Sequence, residues 1–157
     1  MIIPNIDNNF FEILYRRFDE GYFPINRTVP LYEDLVRIPF KSIATTNYDS
    51  CIEEAASLQN VTFQQIQIYP LVSPNNLEAK RLYYLHGKIE LGASNPLPES
   101  LVLTTESYSL AYREDSPLPV FINSIFDSHN ILFIGFGLEE PTLDKLLELS
   151  KKGKISL

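Results

Sequence analysis

Cysteine is almost missing from this sequence: Cys51 is the only one in 157 residues. Its isolation excludes an intrachain disulfide and any multi-cysteine zinc site, and it fits a reducing, cytoplasmic compartment. Cys51 falls in an amphipathic stretch, where a small buried filler is expected. Long hydrophobic runs are missing too. Even "ILFIGFG" is far too short to cross a bilayer. The opening "MIIPNIDNNFFE" lacks a basic start, and Asn and Asp interrupt its apolar residues, so it does not read as a signal peptide. Basic residues are outnumbered 13 to 20, for a net charge of −7. That balance argues against a nonspecific grip on nucleic acid or a membrane surface, and leaves small polar ligands or proteins as the expected partners. The two histidines, His86 and His129, have no ligand-like spacing, and no Walker-type lysine follows a glycine loop. A metal-dependent or phosphate-transferring hydrolase therefore has little support. His129 is expected to be a solvated turn residue.

What is present suits one globular domain, with 45% hydrophobic and 21% charged residues. "NFFEILYRRF" spaces Phe10, Phe11, Leu14 and Phe18 as one helical face. "LYEDLVRI" is a second short helix ending before Pro39. "KSIATT" reads as a strand feeding the helix "DSCIEEAASL". "VTFQQIQIYP" is β-rich, and "RLYYLHG" is a strand closed by Gly87. After the loop "LGASNPLPES" come a strand "LVL", a threonine-capped helix "TTESYSLAYRED" and a proline-started helix "PLPVFINSIFDS". "NILFIGFG" reads as a buried strand leading through a glycine turn into the helix "PTLDKLLELSKKG". Strands alternating with helices predict an α/β fold with a mainly parallel sheet flanked by helices.

In such sheets ligands sit beyond the carboxyl ends of the strands. Three polar groups fall there: Thr45-Thr46-Asn47-Tyr48-Asp49, His86-Gly87, and Gly135-Phe136-Gly137. Each also has a plain structural reading. Asp49 or Ser50 can cap the helix that starts near Cys51, and His86 can donate to a backbone carbonyl. Gly135 and Gly137 match only part of a dinucleotide fingerprint, whose third glycine is replaced by Glu140. Glu139 and Glu140 would bring negative charge to a helix N-terminus where a pyrophosphate needs positive potential. This turn suits a neutral ligand part such as a ribose or base.

Taken in series, "IATTNYDSCIEEA", "YYLHGKIE", "LVLTTESY" and "FIGFGLEEPTLDKLL" resemble the sirtuin-like NAD-consuming domains of bacterial anti-phage defence proteins. The resemblance covers roughly residues 36–150. It implies a Rossmann-like fold, NAD as substrate, no metal, and hydrolysis of the bond between nicotinamide and ribose. By the same resemblance Asn47 holds the nicotinamide ribose or the attacking water, Asp49 shapes the nicotinamide pocket and His86 is the general base. Gly135 and Gly137 let the backbone approach the adenosine half, and Thr45 and Thr46 line the floor. The expected partners besides NAD are a second copy or other domains of a larger protein.

The departures from that family matter as much. A four-cysteine zinc module and the threonine-glutamine-asparagine sequence of deacetylases are missing, with Thr46 in the glutamine's place, so protein deacetylation is not expected. The glycine-rich strand-loop that grips the diphosphate is also missing, since the first glycine is Gly21. On this reading the chain is an incomplete sirtuin-like domain: a fragment of a larger protein, a product of a misassigned start, or a decayed copy. Its alternative function is that of a catalytically silent nucleotide-binding or oligomerisation module, for which "FFEILYRRF" and "PVFINSIF" offer aromatic faces.

Overall fold

The computed structural model describes residues 13, 30–73, 80–89 and 100–135. Helix α1 (Pro30–Arg37) begins on a proline, where the missing N–H costs little, and places Glu33 in its first turn and Arg37 in its last. Strand β1 (Ser42–Thr45) follows, then helix α2 (Cys51–Leu58). Asn60, at φ 55°, ends α2 in the left-handed region, and the Val61 N–H donates back to Ala56 O at 2.8 Å. This is how a helix terminates when asparagine takes the place of glycine. Strands β2 (Gln65–Ile68) and β3 (Arg81–Tyr84) come next, then helices α3 (Thr105–Ala111) and α4 (Pro117–Ser128).

The three strands form a parallel sheet in the order β1-β3-β2. β3 is central, and all four of its residues are buried. Period-two alternation sends its side chains to opposite faces. Leu82 and Tyr84 join Val36, Ile43, Ile52, Ala55 and Ala56 in a core beneath α1 and α2. Tyr83 and Leu85 join a second core with Val102, Ala111, Leu118, Phe121 and Ile122 under α3 and α4. Tyr83 and Phe121 meet with ring centroids 4.6 Å apart. A strand covered on both faces has no solvent side, which is why "LYY" after the buried Arg81 shows no alternation of apolar with exposed polar residues. The architecture is helix layer, parallel sheet, helix layer, the Rossmann-like arrangement that the resemblance implies.

Helix α3 begins with a capping box. Thr104 Oγ1 accepts from the Ser107 N–H at 3.1 Å while Ser107 Oγ accepts from the Thr104 N–H at 2.8 Å. Thr104→Ala takes the acceptor away from the Ser107 N–H, and the expected loss is about 1 kcal/mol. Urea unfolding checks it: the midpoint should fall with the slope unchanged.

Two predicted strands join no ladder among the described residues. Residues 130–135, the described part of "NILFIGFG", lie in no ladder, and Ile131, Leu132 and Ile134 are 38%, 66% and 45% exposed. Branched apolar side chains favour extended backbone, but a strand exists only where a neighbour supplies the other half of its hydrogen bonds. "LVL" is likewise outside any ladder, although Leu101 and Val102 are buried. Of the predicted first helix only Ile13 is described; it is helical and exposed. The loop at 91–99, Phe136, Gly137, Glu139, Glu140 and the final predicted helix lie outside the described residues.

Candidate functional site

Register brings the two principal polar segments together. Thr45 pairs with Tyr84, and the Leu85 N–H donates to Thr45 O at 2.8 Å. Thr46-Asn47 and His86-Gly87 thus leave adjacent strands side by side at the carboxyl end of the sheet, where α/β folds open their ligand crevice.

The loop after β1 is organised by its own side chains. Thr45 Oγ1 accepts from the Asn47 N–H at 3.0 Å, and an Asp49 carboxylate oxygen accepts from the Cys51 N–H at 3.0 Å. Asp49 therefore begins α2, while Ser50 makes no side-chain cap. Asn47 is exposed, and its Nδ2 donates to the Tyr32 hydroxyl of α1 at 3.1 Å. With the amide nitrogen held there, Oδ1 is left to accept from a ligand hydroxyl or a water. Thr46 is half-buried beside it. Cys51 is buried, and desolvation, reinforced by Asp49, pushes its thiol up to about 12. It is a packing residue and a poor nucleophile.

Tyr48 ties this loop to the next. Its hydroxyl donates to Val102 O, and its carbonyl accepts from the Ile89 N–H at 2.9 Å. The Val102 N–H in turn donates to His86 O at 2.9 Å. His86 is 6% exposed, and its Nε2 lies 2.9 Å from the Tyr112 hydroxyl. Desolvation lowers the imidazole to about 4, so the ring is neutral at neutral pH. Just beyond, the Lys88 ammonium lies 2.8 Å from a Glu53 carboxylate oxygen that also accepts from the Tyr84 hydroxyl at 2.8 Å. This mostly buried group locks the exit of β3 to α2.

Gly135 has φ +76° and nothing within 4 Å of a Cβ built on it, so the glycine serves backbone conformation there. His129 ends α4, with Nδ1 2.7 Å from the Ser128 hydroxyl. Among the described residues no three His, Cys, Asp or Glu side chains gather as metal ligands, and no helix is long and apolar enough to cross a membrane. Tyr32 and Tyr112, which hold Asn47 and His86, were not singled out by the sequence. The four-residue spacing of Tyr108 and Tyr112 was a visible signal, because it places both on one helix face.

Comparisons with known proteins place the chain among relatives. The chain is 28% identical over 135 residues to Defense-associated sirtuin 2 of Bacillus subtilis, an overlap of 85% of this chain and 13% of that protein. It is 28% identical over 126 residues to the NAD(+) hydrolase ThsA of Bacillus cereus (strain MSX-D12), covering 78% of this chain and 25% of the relative. A second NAD(+) hydrolase ThsA, from Acinetobacter baumannii (strain 532279), is 24% identical over 119 residues, with 75% and 23% covered. The chain thus spans a quarter or less of the length of each. The family model for the SIR2-like domain matches residues 41–154. The chain belongs to the SIR2-like domain family.

Proposed function

We propose that this chain is part of an NAD glycohydrolase that cleaves the nicotinamide–ribose bond, in the cytoplasm, within a bacterial anti-phage defence effector. The observation that carries the reading is that the segments bearing Asn47 and His86 leave neighbouring parallel strands at the same end of the sheet, as the Thr45–Tyr84 register requires. The names of the relatives, two NAD(+) hydrolases and a defence-associated sirtuin, support the substrate and the setting.

The chemistry suits these groups. The bond between ribose C1′ and the nicotinamide nitrogen breaks with its electron pair going to nicotinamide, which leaves neutral, and C1′ gains oxocarbenium character. Water adds to C1′ and gives up a proton, so the products are nicotinamide, ADP-ribose and H⁺. Asn47 Oδ1 orients the water or a ribose hydroxyl. His86, neutral because it is buried, has a lone pair ready for the proton. Thr45, Thr46 and Asp49 border the ribose and nicotinamide, while Gly135 and Gly137 serve the adenosine half.

A second reading has its own observation. His86 is buried and tied to Tyr112, as a purely structural histidine would be, which favours a silent nucleotide-binding or oligomerisation module. Nicotinamide release from NAD separates the two. The enzyme reading predicts release by this chain, or by a longer polypeptide that carries it, reduced at least about a hundredfold by His86→Ala. NAD binding without release, unchanged by His86→Ala, would establish the silent module instead.

A further inference from the structure

His86 is enclosed by phenols. Tyr112 lies edge-on to it, with centroids 5.8 Å apart and planes at 82°, and Tyr108 lies 6.0 Å away at 74°. Tyr48 closes a third side at 6.5 Å. Tyr108 and Tyr112 stack on each other at 4.4 Å, held by the Tyr112 N–H donating to Tyr108 O at 3.0 Å. The 2.9 Å contact between His86 Nε2 and the Tyr112 hydroxyl is the one side-chain hydrogen bond of the imidazole among the described residues.

A neutral imidazole bears one N–H and one lone pair, and the bond made by one nitrogen decides the state of the other. If the Tyr112 hydroxyl donates to Nε2, the proton sits on Nδ1 and no free lone pair remains. If Nε2–H donates to the Tyr112 oxygen, Nδ1 has the lone pair. Burial, and then the adjacent Tyr108 phenol, hold the Tyr112 hydroxyl protonated well above the ordinary phenol range. The phenol is therefore neutral in either arrangement, and only the second leaves the imidazole a lone pair free to take a proton, as a base at His86 requires.

We propose that Tyr112 is a positioning residue: its hydroxyl oxygen accepts from His86 Nε2–H, fixes the ring's tautomer and orientation, and makes Nδ1 the basic atom. The choice of tautomer and the role as a base rest on the NAD glycohydrolase reading; the hydrogen bond between His86 and Tyr112 does not. Tyr112→Phe keeps the stacked ring and removes only the oxygen, so the helix packing is preserved.

The test begins on the unaltered chain. Long-range proton–nitrogen correlation spectra of histidine-labelled protein show which nitrogen of each imidazole bears the proton. Only two histidines contribute, and His129→Gln assigns them. The expected result is His86 protonated on Nε2, becoming a mixture of tautomers in Tyr112→Phe, with kcat for nicotinamide release lowered roughly tenfold and KM unchanged. A His86 protonated on Nδ1 in the unaltered protein overturns the proposal, as does a tautomer or a kcat that Tyr112→Phe leaves unchanged. If the unaltered protein binds NAD but releases no nicotinamide, the glycohydrolase reading fails, and the proposed base at Nδ1 fails with it. The spectrum still decides the hold of Tyr112 on the tautomer, so the two failures are distinguishable.

Discussion

Gly87→Ala is expected to lower folding stability by about 3 kcal/mol or more. Two separate costs meet at this position. Gly87 sits at φ +90°, a conformation open to glycine and strained for any residue with a Cβ. An added Cβ would also run into Ser100 O and come within 2.7 Å of Leu101 Cδ2. The first obstacle is backbone, which cannot rotate aside, and Leu101 is buried. Gly135 provides an internal comparison: it also has positive φ, at +76°, but the space around it is open. Gly135→Ala should therefore show only the conformational cost, about 1 kcal/mol. Urea unfolding of the two variants separates strain from collision, and equal losses would mean that residues 100–101 shift freely. Because the Val102 N–H bonds to His86 O, any shift that made room for the added methyl group would also displace the histidine.

Acid should destabilise the protein through His86 by about 2 kcal/mol at pH 5 and about 3 kcal/mol at pH 4 and below. The sign follows from the direction of the shift. Burial lowers the folded-state value from 6.5 to about 4. Between those limits the unfolded chain takes up a proton that the folded chain refuses, so stability is full above pH 6.5 and is lost as pH falls toward 4. Tyr48, Tyr108 and Tyr112 surround the ring with neutral phenols that offer an imidazolium no counter-charge. Unfolding free energies from pH 7 to 4, compared with those of His86→Gln, check this. The variant should lose the histidine's share of the slope, and identical curves would mean that His86 becomes protonated without leaving its site. The same shift should carry the acid limb of nicotinamide release well below the range of an ordinary histidine.

Local chemistry made much of this fold readable. Pro117 and Ser128 bound α4 where the sequence suggested, the threonine pair caps α3, and the aromatic run "RLYY" is the central strand. These features depend on residues near in sequence, or on a burial so complete that composition alone reports it. "ILFIG" has the composition of a strand, but a ladder depends on another segment, and none pairs with it among the described residues. The candidate site divides in the same way. Asn47 and His86 were visible as polar groups ending apolar runs, and the register brings their two segments out of adjacent strands at one end of the sheet. Tyr32 and Tyr112 reach them from other elements, 15 and 26 residues away in the chain, and no local pattern encodes those meetings.

The order β1-β3-β2 has a further consequence for how the chain is made. The last of the three strands to leave the ribosome is the one that bonds to both others. β1 and β2 pair only with β3 in the sheet, so until residues 81–84 arrive neither has its partner. Insertion of β3 therefore completes the sheet and, in the same event, brings the His86 segment to the sheet end from which the Asn47 loop departs. A nascent chain without that strand cannot assemble the proposed NAD-cleaving rim, so the rim forms only with the completed sheet.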